Sequence, residues 1–258
     1  MNLVVCLAMV PDTVDELTVA ADQRSLDTEF LRFKLNDPDE HALEQALLLK
    51  EKYGGQVTVV ALEAPEVDDV FFTALAKGAN RAVKIAVDQT GLGTVAIAQV
   101  LAGFFQSGGG PVSPDTVVLT GAQAYNDLEG ELAPYLAEAL GLPYLGVVCG
   151  VTSANGKLTV LKEFSGGLRG EYAVALPAVL GIQSAEKPPR YVPFAKVTAA
   201  RKTAKIETVS VPAPATPVVV AVERLYKPEV AGRAEMLSGS PEEIANRIVS
   251  LLAERGLL

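Results

Sequence analysis

Apolar runs at residues 3–10, 56–62, 82–87 and 116–119 are short and rich in valine and leucine. Runs of that kind read as strands buried on both faces of a parallel sheet. Helical spacing fills the intervals. Asn36 is a polar cap, Pro38 falls in the first turn, and Asp37, Asp39 and Glu40 are early acids. The helix continues through Ala42, Leu43, Ala46, Leu47 and Leu49 and stops at Gly54-Gly55, with Glu44 and Gln45 expected on its solvent side. Residues 68–77 form a second helix ended by Gly78, and residues 94–105 a third, followed by Gly108-Gly109-Gly110-Pro111. Residues 14–34 are polar and read as a surface hairpin. The alternation of strand and helix predicts an α/β fold, a doubly wound parallel sheet with right-handed crossovers. Ligands in such sheets bind beyond the carboxyl ends of the strands. The turns after the first and fourth runs, with Asn36, are therefore the expected site.

After Pro143 the pattern changes. Residues 146–153, 157–164 and 172–183 read as three strands of an antiparallel extension, joined at Ala154-Asn155-Gly156 and Ser165-Gly166-Gly167. Residues 187–194 form an exposed, proline-stiffened loop, followed by the basic Lys196, Arg201, Lys202 and Lys205. Proline-rich sequence with scattered strands, residues 218–222 among them, leads to Ser240-Pro241-Glu242-Glu243. This opens an amphipathic helix with Ile244, Ile248, Leu251 and Leu252 expected inward. We divide the chain into an α/β domain, 1–205, and a C-terminal arm, 206–258. The arm packs either on a partner or on its own sheet.

Composition narrows the functional classes. The net charge of −9 argues against a nucleic-acid binder. Cys6 and Cys149 lie in apolar runs and read as buried free thiols, which points to a reducing, cytoplasmic setting. His41 is the only histidine, so a zinc site or a histidine-dependent triad is not expected. No apolar segment reaches membrane-span length, and neither a Gly-x-Gly-x-x-Gly fingerprint nor a Lys-Ser/Thr phosphate loop occurs.

The stretch from Thr120 to Pro134 stands apart. A strand, a small-residue turn and a helix start place backbone N–H groups and partial positive charge together, which is how α/β proteins hold phosphate. Yet Asp127, Glu129 and Glu131 lie there. Glu129 and Glu131 are either solvent-facing helix acids, internal anions that fill the helix start, or neighbours of a tolerated nucleotide.

Six stretches then match one family in order. They are Met1-Asn2-Leu3-Val4-Val5-Cys6 with Val10-Pro11-Asp12-Thr13; Asn36-Asp37-Pro38-Asp39-Glu40; Thr73 through Ala82; Gly121-Ala122-Gln123-Ala124; Gly166-Gly167-Leu168 with Leu176-Pro177-Ala178-Val179; and Pro189-Arg190-Tyr191. The chain resembles the β subunit of electron-transfer flavoprotein along nearly its whole length. The resemblance implies a Rossmann-like, adenine-nucleotide-hydrolase-like fold and a homologous α subunit as partner. It implies an electron carrier rather than a substrate-converting enzyme, relaying electrons between a dehydrogenase and a downstream acceptor with FAD mainly on the α subunit. It places an adenine nucleotide, AMP or a second FAD, at Cys6, Asn36, Asp37, Pro38, Asp39, Leu62, Gly121, Gln123, Ala124, Tyr125, Asn126, Asp127, Glu129, Gly130, Glu131 and Leu132. It places partner docking at Arg190, Tyr191 and Phe194. The sequence departs from the family where Glu129 and Glu131 replace neutral donors, and where Ala8-Met9 replaces a basic position. Both departures weigh against AMP or a second FAD at this site. The alternative reading is a docking subunit that has lost its nucleotide. A nucleotide-hydrolysing enzyme of the same layout lacks any phosphate loop or base here.

Overall fold

A computed structural model describes residues 1–89, 91–110, 112–127, 130–154, 157–212, 221–228, 232 and 234–258. Its strands are β1 (Asn2–Cys6), β2 (Met9–Pro11), β3 (Phe33–Leu35), β4 (Gln56–Leu62), β5 (Arg81–Ala86), β6 (Thr116–Gly121), β7 (Tyr144–Ala154), β8 (Lys157–Glu163), β9 (Arg169–Ala175), β10 (Ala178–Ile182) and β11 (Ile206–Ser210). Its helices are α1 (Asp37–Tyr53), α2 (Val67–Lys77), α3 (Thr94–Gln106), α4 (Leu132–Leu140), α5 (Phe194–Thr203) and α6 (Pro241–Glu254).

The apolar runs line up in a nine-stranded sheet of order β11-β5-β4-β1-β6-β10-β7-β8-β9. Strands from β11 to β7 run parallel, and β8 and β9 add the antiparallel extension. Side-chain alternation divides the core. Leu3, Val5, Val57, Val59 and Leu119 face α1 and α2, while Val4, Cys6, Val60, Leu62 and Val118 face α3 and α4. After β1 the chain winds outward through β4 and β5, then returns to the other flank as β6. The β1–β6 junction is the topological switch point where such sheets open a crevice.

The structure corrects several boundaries. The 3–10 run is two strands: β1 ends at Cys6, and β2 pairs with β3 in a separate ribbon. The break comes at Ala8, whose N–H leaves the ladder and donates to Asp39 Oδ2 at 2.9 Å. The 172–183 run is also two strands. Pro177, which has no N–H to donate, separates the antiparallel β9 from β10, and β10 inserts in parallel between β6 and β7. Residues 206–210, assigned above to the arm, form edge strand β11 beside β5. Arg81 and Glu207 join the two strands through Nη2–Oε2 contact at 2.6 Å. Cys149 is half-buried rather than buried.

Glu44 and Gln45 are buried, not on the solvent side. Helix α1 has the sheet beneath it and the segment after β10 on its other flank. Gln45 Oε1 accepts from Glu186 N–H at 3.1 Å, and Ala185 N–H donates to His41 Nδ1 at 3.3 Å. In α6 the expected capping box is present, yet no residue of the helix is buried and Ile248 is 45 % exposed. The parallel part of the sheet is already covered on both faces by α1 to α4. The Ala154-Asn155-Gly156 turn and residues 218–220 fall partly or wholly outside the described residues.

Candidate functional site

The turns after β1 and β6 meet over the start of α1, and Asp39 ties them together. Its carboxylate accepts from Ala8 N–H and from Gly121 N–H. Asp39 is buried, and that burial pushes its pKa up to about 6 against the pull of the two N–H donors. Gly121 is dictated by this approach. A Cβ there would stand 2.7 Å from both Asp39 Oδ1 and Pro38 Cβ. Asn36 spans the same gap: its Nδ2 donates to Gln123 O at 3.0 Å, and its N–H donates to Ala8 O at 3.0 Å. Its side chain therefore crosses to the β6 turn instead of capping α1. Asn36 Oδ1 is buried without a hydrogen-bond partner among the described residues.

The turn after β6 folds back on itself. Asp127 N–H donates to Ala124 O at 3.0 Å, and Gly130, in the left-handed region at φ 67°, donates to Asp127 O at 3.2 Å. The Asp127 carboxylate then reaches the start of α4. It accepts from Glu131 N–H and from Leu132 N–H, each at 3.1 Å. Pro134 has no N–H. The first donors of α4 are thus largely taken by an internal anion. Asp127 is an acid that fills the helix start, a role that the sequence pattern offers as one of three alternatives for Glu129 and Glu131. Glu129 lies outside the described residues.

A cleft of about 650 Å³ opens at this junction. Cys6, Leu62, Ala124, Asn126, Asp127, Glu131 and Leu132 from the expected set line it. Burial raises the Cys6 thiol well above its ordinary range, so it serves as an apolar wall rather than a nucleophile. Tyr125 and Asp37 pair with each other instead, Oη to Oδ2 at 3.0 Å, on the exposed rim beside Lys34. Two further walls escaped sequence reasoning. One is the segment from Leu92 through the start of α3; the other is residues 221–225 of the arm. The first was legible in principle, since α3 follows β5 and every parallel strand ends at this edge of the sheet. The arm carried no local signal, because it returns from far along the chain: Leu225 N–H donates to Gln23 O at 2.6 Å.

The cleft has the volume of a small-molecule site and apolar walls with a few polar groups, which suits a nucleoside. The carboxylates of Asp127 and Glu131 suit hydroxyl donors. A phosphate at the start of α4 would meet two N–H groups already held by Asp127 and the added carboxylate of Glu131, which repels it.

At the expected docking loop, Arg190 turns inward. Its Nη2 lies 2.8 Å from Glu44 Oε1, and Nη1 bonds Glu51. Beyond this anchor Tyr191 and Phe194 are 87 % and 78 % exposed. No helix among the described residues is long and apolar enough to cross a membrane.

Comparison with known proteins gives the family. The family model described as "Electron transfer flavoprotein domain" matches residues 26–214. The "Electron transfer flavoprotein subunit beta" of Clostridium acetobutylicum is 30% identical, covering 98% of each chain. That of Methylophilus methylotrophus is 27% identical over 98% of each. That of Syntrophomonas wolfei is 31% identical over 78% of this chain and 77% of its own.

Proposed function

The chain belongs to the electron transfer flavoprotein family, as a β subunit, and on that premise we propose its working part. Electron transfer with a flavin and an α subunit follows from the family. The finer reading is that this subunit relays electrons between a dehydrogenase and a downstream acceptor, with FAD held mainly by the α subunit. The flavin supplies the redox chemistry. This chain supplies structure: the rigid sheet, a cleft for an adenine nucleotide at the β1–β6 junction, and two partner surfaces.

The cleft is the observation that carries the nucleotide reading. Its residues converge from β1, β4, the β6 turn and the start of α4, as the resemblance implies. The arm, including α6 with its uncovered apolar stripe, is read as the clamp on the α subunit. Tyr191 and Phe194, held out beyond the Arg190 anchor, are read as the surface that meets the dehydrogenase. Redox chemistry in the cytoplasm accords with the free cysteines.

One observation favours a second reading. Glu131, one of the two acids at which the sequence departs from the family, lines the cleft, as a subunit that had lost its nucleotide and acted only in docking would show. Co-expression with the α subunit tests the primary reading. The purified pair should carry flavin absorbance that bleaches with reductant and returns with an acceptor dye. A stable pair without flavin contradicts electron relay.

A further inference from the structure

Three acceptors on one face of α1 hold the segment that leads into the docking loop. His41, Glu44 and Gln45 stand at i, i+3 and i+4 of the helix, so they are neighbours on its surface. Each takes a backbone N–H from the stretch after β10. Ala185 donates to His41 Nδ1 at 3.3 Å, Glu186 to Gln45 Oε1 at 3.1 Å, and Arg190 to Glu44 Oε2 at 2.9 Å. The exposed Tyr191 and Phe194 follow directly. The three acceptors differ in kind. Gln45 has no titratable proton. Glu44 is a buried carboxylate gripped by the Arg190 guanidinium. His41 alone accepts through an imidazole, the side chain that ordinarily changes charge between about pH 5 and 8. A neutral imidazole accepts at Nδ1 only when its proton sits on Nε2; with Nδ1 protonated, a donor faces the Ala185 donor and that hydrogen bond is lost.

The charged groups near His41 have partners of their own. Asp37, one turn earlier on α1, bonds Lys34 Nζ and Tyr125 Oη at 3.0 Å each. The Lys34 ammonium, ahead of Tyr125 and His41, holds the Asp37 carboxyl below the usual carboxylate range. Glu40 pairs with Lys77 from α2. Asp39 points to the Ala8 and Gly121 N–H groups. From the facing segment, Glu186 turns its carboxylate to Val151 N–H at 3.3 Å, and Lys187 stands exposed.

We propose that His41 is a proton-operated latch on the docking segment. Neutral, it pins Ala185 and fixes the path of the chain toward Tyr191 and Phe194. Protonated, it releases Ala185, and the segment keeps only its attachments to Gln45 and Glu44. The consequence for a partner, weaker docking in acid, rests on the docking reading above; the latch itself does not. The loss of one neutral hydrogen bond corresponds to about 2- to 10-fold in the opening equilibrium of the segment.

The test is hydrogen–deuterium exchange of this chain purified with its α partner, read at residues 184–190 at pH 7.5 and pH 5.5 and corrected for intrinsic exchange. His41 is the only histidine of the chain, so isotope-labelled histidine in this subunit alone reports its ring by nuclear magnetic resonance. At pH 7.5 the ring should carry its proton on Nε2. At pH 5.5 it should also carry one on Nδ1, with Ala185 exchanging about 2- to 10-fold faster. In His41→Asn the side-chain oxygen takes the place of Nδ1 and accepts at both pH values, so the acceleration should vanish. In His41→Phe exchange should be fast at both. A ring with its proton on Nδ1 at pH 7.5, equal exchange of the parent at the two pH values, or an acceleration that survives in His41→Asn would overturn the proposal. None of these readouts involves a partner, so a failure of the latch and a failure of the docking reading are told apart.

Discussion

Asp39 and Glu44 are two acids of one helix, both buried, with different electrostatic consequences. Asp39 has neutral hydrogen-bond donors and, among the described residues, no cation on its carboxylate; Glu44 has the Arg190 guanidinium. Burial raises Asp39 to about 6, above the ordinary aspartate value near 3.9. The native state therefore holds a proton there that the unfolded chain releases, and this contribution to stability grows as pH falls from above 6 toward 4. We expect the midpoint of urea unfolding of Asp39→Asn to lose that rise between pH 7 and 5, where the parent shows it. An identical pH slope in both would contradict the assignment. Removing Arg190 would strand Glu44. Arg190→Ala should cost about 3 kcal/mol in urea unfolding, with Arg190→Lys recovering only part because an ammonium cannot bridge two carboxylates in that planar geometry. A loss below about 1 kcal/mol would mean the pair behaves as a surface one.

At the scale of elements, the short helix α4 begins on a borrowed acceptor. Asp127→Ala removes the partner of two N–H groups and should cost about 1–2 kcal/mol, checked by thermal unfolding of the variant. No change would mean water serves those donors equally well. The same scale explains what the sequence made legible. β4, α2 and α3 follow from local pattern because their apolar spacing and glycine stops lie within the element. The break at Ala8 does not, because it depends on Asp39, 31 residues away. Nor does the insertion of β10 between β6 and β7, which is a choice of partner rather than of local conformation. Glu44 and Gln45 look solvent-facing by helical period, since the loop that buries them arrives from residues 185–190. In the cleft, the turn after β6 was legible from strand ends, and Cys6 and Leu62 came from the order of motifs in the resemblance. Residues 221–225 of the arm were not legible, because the contact that brings them back is made between distant loops.

At the scale of the molecule, the sheet and α1 to α5 form a finished body, and the arm leaves it with an apolar helix face uncovered. Ile248→Asp with Leu252→Asp should leave the circular dichroism of the chain unchanged and weaken its pairing with the α subunit by about 30-fold or more in analytical ultracentrifugation, the cost of a disrupted hot spot. Unchanged pairing would place the α contact elsewhere. The central claim is that this β subunit serves electron transfer while keeping an adenine nucleotide in a cleft whose helix start is closed by Asp127. Acid extraction of the purified αβ pair, with FAD and AMP counted by chromatography, tests that claim most directly. The account predicts one FAD and one AMP per heterodimer; one FAD with no AMP would contradict it and leave the chain a docking subunit.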